Sequence, residues 1–227
     1  MTIRHSPIAP HRCVRLLAIL LLAAGLLPAE VRAQRSDRDA WQRVPDVMAA
    51  LAIGTGSRVA DVGAGGGYFT AHLARQVGAD GRVLAVEIGE RELTQLRRLA
   101  EDESLENIDV IRGEVDDPRL PEQSLNAVLV VDAYHEMTEH EAMMAGIYGA
   151  LEPGGRLVIM DLAPPDASAS RDRQIESHRI GIDLVAREVE VAGFEVLDRD
   201  PEFARSGSGR GQWMLVARRP VRPGPPP

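Results

Sequence analysis

Val59-Ala60-Asp61-Val62-Gly63-Ala64-Gly65-Gly66-Gly67-Tyr68-Phe69-Thr70 is a short apolar run interrupted by an acid, opening into glycines ahead of a segment of helical character. Glycine lacks a Cβ, so Gly63, Gly65 and Gly67 allow a sharp turn, positive φ and close approach of a ligand to the main chain. The N-terminus of the following helix offers unpaired N–H groups and a positive dipole end, which suit a carboxylate or phosphate. The nicotinamide fingerprint G-x-G-x-x-G requires glycine at 68, where this chain has Tyr68. A nicotinamide-dependent oxidoreductase is therefore the weaker reading.

The loop does match acid-x-Gly-x-Gly-x-Gly, here Asp61 to Gly67, and in this it resembles class I S-adenosylmethionine-dependent methyltransferases. A glycine-rich turn between strand and helix is also an ordinary structural element, so the order of the remaining elements has to be read independently.

That order alternates. A helix is expected over Asp37–Leu51, with Pro45 marking a boundary or kink. Strands follow at Ser57–Val62, Arg82–Glu87, Ile108–Arg112, Ala127–Val131 and Leu157–Asp161. The last two are apolar without alternation, as strands covered on both faces should be. Helices are expected from the glycine loop to about Val77, around Leu93, Leu96 and Ala100, and after Thr138, where Thr138 to Glu141 fits a capping box and Pro153-Gly154-Gly155 would stop the helix. A loop rich in Pro, Ala and Ser leads to a helix carrying Ile182, Val185 and Val189, which ends at Gly193. Phe194–Asp198 and Gln212–Ala217 then have no helix between them, so they should pair as an antiparallel hairpin. The fold class expected is α/β: a doubly wound, Rossmann-like sheet, mostly parallel with an antiparallel closing hairpin, binding its ligand at the carboxyl ends of the strands. The resemblance covers roughly Trp41 to Ala217.

Residues 1–33 read as a secretory signal peptide. Arg4, Arg12 and Arg15 precede an apolar run from Leu16 to Leu27, and Val31-Arg32-Ala33 supplies small residues for cleavage. The run is short of the roughly 20 apolar residues of a spanning helix, so no stable membrane anchor is expected. The domain would then occupy 34–217, followed by a flexible Pro/Arg tail at 218–227, and the protein would be periplasmic or secreted. The only cysteine, Cys13, falls in the leader, which leaves the rest without a thiol ligand, nucleophile or disulfide.

All 26 basic residues are arginine, which excludes lysine Schiff-base chemistry and a lysine base. The net charge of the full chain is −8, and such a charge opposes phosphate backbones and anionic lipid, so neither nucleic acid nor a membrane surface is an expected partner. The sequence is silent on oligomeric state.

The resemblance assigns the remaining site residues. Cofactor contacts are expected from Asp61, Gly63, Gly65 and Gly67, and from Glu87, which ends the second strand about 20 residues beyond the loop and would accept from both ribose hydroxyls. In Gly113-Glu114-Val115-Asp116-Asp117, where the family commonly has Gly-Asp-Ala, one of Glu114, Asp116 and Asp117 would accept from the adenine amino group, and the choice stays open. Tyr134 and His135 leave the fourth strand where the methyl group should project and are the candidate catalytic residues, able to orient or deprotonate a nucleophile; the alternative is that Tyr134 packs and His135 caps a turn. Arg38, Trp41, His178 and Arg179 are weaker candidates for the ligand or substrate end. H-E-x-x-H would need histidine at 139, where the chain has Glu139, so no metal is expected.

The function these residues imply is an exported, S-adenosylmethionine-dependent methyl transfer to a small-molecule acceptor. A non-catalytic S-adenosylmethionine-binding module is the alternative. Methyl transfer from a sulfonium needs alignment and exclusion of water more than a triad, which fits the absence of a G-x-S-x-G elbow.

Overall fold

The computed structural model describes residues 37–205, 209 and 211–221. The expected leader lies outside the described residues. The chain comprises two units, Met1–Asp39 and Ala40–Pro227, and the second holds the whole sheet. Among the described residues no helix is long and apolar enough to cross a membrane.

Residues 37–41 are helical, and the helix expected to run on to Leu51 breaks at Arg43, which adopts left-handed geometry (φ 50°). Pro45 has no N–H to donate to the carbonyl of Trp41 and is tolerated only in a first turn, which favours a fresh start. Helix α1 is Val44–Leu51, followed by β1 (Arg58–Val62), α2 (Tyr68–Val77), β2 (Arg82–Glu87), α3 (Glu90–Asp102), β3 (Ile108–Arg112) and β4 (Leu125–Val131). A 3-10 turn at Tyr134–Glu136 leads to α4 (His140–Ala150), β5 (Leu151–Leu162), α5 (Arg171–Ile175), α6 (Ile182–Val191), β6 (Glu195–Arg205) and β7 (Gly211–Arg218).

The strands form one sheet in the order β3-β2-β1-β4-β5-β7-β6. β1 to β5 are parallel, and β7 runs antiparallel to both β5 and β6. The strand order reverses between β1 and β4, which opens a crevice at their carboxyl ends. The unbroken apolar runs divide by strand periodicity. Ala60, Val128 and Val130 pack on one face with Met144, Ile147, Val185 and Val189 of α4 and α6. Val59, Ala127 and Leu129 pack on the other with Val47, Leu51, Phe69 and Leu73 of α1 and α2. Each neighbour along these apolar runs feeds the opposite face, so both faces of the central strands are covered.

Three details depart from the sequence reading. No side chain caps α4, which starts at His140, after Glu139. Pro153-Gly154-Gly155 does not end that helix but lies within β5, where the Gly154 N–H donates to the Arg219 carbonyl at 2.8 Å. The folded part also extends past Ala217. Arg218 ends β7 paired with Glu195 at 2.7 Å, and the Arg219 guanidinium donates to the carbonyls of Tyr148 and Leu151 while stacking over the Tyr148 ring.

Candidate functional site

The glycine loop stands at the crevice between β1 and β4. Gly63, Gly65 and Gly67 all have positive φ, of 73°, 55° and 84°, yet they face different surroundings. A Cβ on Gly63 would lie 2.4 Å from the Cβ of Ala133, so the loop after β1 touches the loop after β4. A Cβ on Gly67 would strike Leu99 and Leu96 of α3. A Cβ on Gly65 would meet nothing within 4 Å. Gly63 and Gly67 thus serve protein packing, and Gly65 borders the space a ligand could enter.

Glu87 closes that space from β2. Its Oε1 accepts from the Gly65 N–H at 2.6 Å and its Oε2 accepts from the Ile88 N–H at 3.0 Å. An ionised carboxylate has about four acceptor positions, so two remain for hydroxyl groups. Asp61 is different: it is buried beneath the loop and accepts from the Thr70 hydroxyl at 2.6 Å. Burial pushes its carboxyl up to about 6, with the charge of Glu87 adding to the rise and the Thr70 hydrogen bonds opposing it. Asp61 ties the end of β1 to α2 and supports the loop from below.

Beyond Glu87 the sequence reading missed an apolar pair. Ile88 is 53% exposed and Val115 is 56% exposed, which makes them two of the few exposed large apolar side chains among the described residues. They emerge from adjacent strands, since Glu87 pairs with Arg112 and the Gly113 N–H donates to the Glu87 carbonyl. Two apolar groups at neighbouring strand ends suit the faces of a flat ring. Ile88 directly follows the acid that ends β2, whereas Val115 stands three residues beyond the end of β3, so no common spacing marks the pair in the sequence. Of the three acids near Val115, Glu114 pairs with Arg119 at 3.2 Å, and Asp117 accepts from the Arg119 N–H at 2.7 Å within its own turn. Asp116 is exposed, like the other two.

At the far side of Ala133, the structure separates Tyr134 from His135. Tyr134 is 0% exposed, and its hydroxyl donates to Glu188 of α6 at 2.9 Å. Burial, with the Glu188 charge second, pushes the phenol far above its ordinary range. Arg171 and His140 also meet Glu188, at 3.0 and 3.5 Å. The phenol therefore anchors the 3-10 turn to α6, and the expectation that it deprotonates a nucleophile gives way to a packing role.

His135 has the arrangement of an oriented imidazole. It is 7% exposed, and its Nδ1 lies 2.9 Å from Oδ1 of Asp161, the 0% exposed acid near the end of β5. The same carboxylate accepts from the backbone N–H of His135 at 3.1 Å and of Leu162 at 2.7 Å. An acceptor facing Nδ1 fixes the tautomer with the proton there and leaves Nε2 to meet a partner. Burial lowers the affinity of this ring for a second proton, but the hydrogen bond and charge of Asp161, with Glu136 and Asp132 adding, outweigh it and raise its pKa. Asp161 entered the sequence reading only as the end of a strand; its pairing with His135 depends on β4 and β5 being neighbours.

A further polar chain reaches the loop after β4. Gln212 of β7, buried, receives the Gln42 amide at 3.2 Å and donates to Asp132 at 2.8 Å, linking the segment before α1 to the loop after β4. Trp41 is half-buried and packs against the core beside α1; Arg38 is exposed. His178 and Arg179 lie in the turn before α6 and not within that helix. The His178 ring stands edge-to-face on His135, with centroids 5.9 Å apart, whereas Arg179 turns to the Ala163 carbonyl at 3.2 Å.

Comparison with known proteins bears on the family and the fold. Residues 59–155 match the family model described as a methyltransferase domain. The chain is 27% identical over 126 residues to the ubiquinone/menaquinone biosynthesis C-methyltransferase UbiE of Photorhabdus laumondii, covering 55% of this chain and 49% of that protein. It is 26% identical over 165 residues to the arsenite methyltransferase of Halobacterium salinarum, covering 70% of this chain and 42% of that one. The chain thus spans about half or less of the length of these curated relatives. A solved S-adenosylmethionine-dependent methyltransferase from Aquifex aeolicus superposes with a TM-score of 0.69 at 19% identity, over 86% of this chain and 100% of that one. The family match, the fold and the loop together support a class I S-adenosylmethionine-dependent methyltransferase domain. S-adenosylmethionine is the cofactor of this class, and the residues present fit it: Gly65 leaves the room, Glu87 has acceptors to spare, and Ile88 and Val115 offer apolar contact for a ring.

Proposed function

We propose that the protein transfers the methyl group of S-adenosylmethionine to a small-molecule acceptor held against His135. The observation that carries this reading is the His135–Asp161 pair, buried beside a cofactor loop that touches the same turn through Gly63 and Ala133. When bound, S-adenosylmethionine supplies a methyl group already activated for displacement, so the chain has to align the acceptor, exclude water and deal with one proton. Asp161 holds the Nδ1 proton and the ring plane, and Nε2 faces the acceptor and takes its proton. Tyr134, bonded to Glu188, fixes the turn from behind.

The two curated relatives act, by their names, on a quinone precursor carbon and on arsenite, so they point to no common acceptor. An acceptor bound through protein thiols is disfavoured, because Cys13 is the only cysteine. We extend the proposal to export, on the strength of the charged, apolar and small-residue pattern of residues 1–33. N-terminal mass spectrometry of the periplasmic fraction tests export: a chain starting at Gln34 supports it, and an intact N-terminus in the cytosol overturns it. Calorimetry with S-adenosylmethionine, followed by a labelled-methyl screen of metabolite extracts, tests the activity. Tight binding with no labelled product from any extract would favour the non-catalytic module instead.

A further inference from the structure

His135, Glu136 and His178 bring two imidazoles and a carboxylate to one point, with one ligand atom from each lying within 4.8 Å of the others. Sequence spacing had suggested no metal, because His178 reaches the pair only through the fold. We propose that these three side chains form a binding site for a divalent first-row transition ion, with Asp161 as the outer carboxylate that orients His135. The site goes beyond the proposed methyl transfer and does not rest on it, and an ion held there would occupy the Nε2 that otherwise acts as the base.

Four observations carry the inference. First, a metal-binding histidine characteristically gives its other N–H to a carboxylate, which sets the tautomer and strengthens the donor; His135 Nδ1 lies 2.9 Å from Asp161. Second, His135 Nε2 and Glu136 Oε1 are already 3.7 Å apart, close to the roughly 3.3 Å that separates neighbouring ligands in a tetrahedral site with bonds of about 2.0 Å. Third, His178 is positioned by a rigid segment despite its exposure. Buried Gln174 donates to the Ala169 carbonyl and accepts from the Gly181 N–H at 2.7 Å, the Ile180 N–H donates to the Leu162 carbonyl, and the Trp213 indole donates to the Ile180 carbonyl at 2.7 Å. The His178 backbone is held in left-handed geometry (φ 53°) that a residue with a Cβ adopts at a cost. Fourth, Glu136 and His178 are exposed, so short side-chain rotations can close the remaining gap and leave positions open for water or an acceptor oxygen.

The donor set selects the ion. Two neutral imidazoles with one carboxylate suit zinc, ferrous iron and their neighbours, whereas calcium and magnesium prefer all-oxygen surroundings. An ion at this point would polarise an acceptor oxygen in place of the His135 ring.

The test uses untagged protein stripped with a chelator, titrated with zinc by competition calorimetry and with cobalt by visible absorption. The expected result is one ion per chain, with affinity lowered by at least about tenfold in His178→Ala and Glu136→Gln and unchanged in His72→Gln, a histidine outside the cluster. Thermal midpoints measured without metal verify that the variants are folded. Failure of the wild type to bind either ion, or equal binding by His178→Ala and Glu136→Gln, overturns the site. Calorimetry with S-adenosylmethionine on the same samples reports on the cofactor reading separately.

Discussion

The Glu87 carboxylate accepts a 2.6 Å hydrogen bond from the Gly65 N–H, so the acid at the end of β2 braces the one glycine of the loop that borders open space. A ribose seated there would share Glu87 with the loop. Removing the carboxylate should therefore cost twice, once in the cofactor contact and once in loop order. Glu87→Ala should lower S-adenosylmethionine affinity by about 10- to 100-fold, the equivalent of roughly 1.5–3 kcal/mol for hydrogen bonds to a charged group. Calorimetry on the folded variant is the check, and unaltered affinity would remove Glu87 from the site.

The glycines of the loop should respond differently to the same substitution. Gly63→Ala takes on positive φ and also drives a Cβ to 2.4 Å from Ala133, so it should destabilise the fold by about 2–5 kcal/mol in all. Gly65→Ala has room for its methyl and pays about 1–2 kcal/mol for positive φ, but the methyl enters the ligand's space. Thermal melts should single out Gly63→Ala when it is compared with Gly65→Ala, and cofactor titration should single out Gly65→Ala. If both variants lose stability and affinity in proportion, the division of labour drawn here fails.

Neighbouring residues on the 3-10 turn should also separate. Tyr134→Phe removes the bond to Glu188 and should cost about 1–3 kcal/mol of stability while leaving single-turnover methyl transfer near wild type. His135→Ala should instead lower that rate by about 10² to 10⁴, the usual worth of a positioned base. Asp161→Asn should fall between them, since it keeps the ring in place but withdraws the charge that sets the tautomer. Equal rates for Tyr134→Phe and His135→Ala would refute the assignment.

What the sequence made legible was whatever is local. The boundaries of β2 and β3, the glycine loop and the acid ending β2 follow from period, turn chemistry and spacing inside one β-α-β unit. Long-range pairings could not be read in this way. Asp161 meets His135 because β5 lies beside β4, and His178 reaches the same turn through the Gln174 and Trp213 hydrogen bonds. Tyr134 and His135 look alike as adjacent polar residues after a strand, and only the direction of each side chain, one toward α6 and the other toward β5, tells them apart. The break at Arg43 had a visible signal in Pro45, whereas the start of α4 without a side-chain cap overrode a good local motif.

Asp61 gives the fold a pH dependence whose sign can be stated in advance. Its carboxyl is pushed from 3.8 up to about 6, first by burial and then by the Glu87 charge, against the Thr70 hydrogen bonds. The folded state therefore binds this proton more tightly than the unfolded chain. The corresponding stability is fully present below the unfolded pKa near 3.8 and is lost as pH rises through about 6. Above that range the protein carries a buried charge at a cost of at most about 3 kcal/mol, from about 1.4 kcal/mol per pKa unit. Asp61→Asn is neutral at every pH and can keep a hydrogen bond to Thr70, whose hydroxyl turns to accept from the amide. The stability of the variant relative to wild type should accordingly rise between about pH 4 and 7 and level off above. Denaturant melts of both proteins across that range measure the difference directly. A difference that does not change with pH would mean that Asp61 titrates as an ordinary surface carboxylate, and that the loop does not rest on a buried acid.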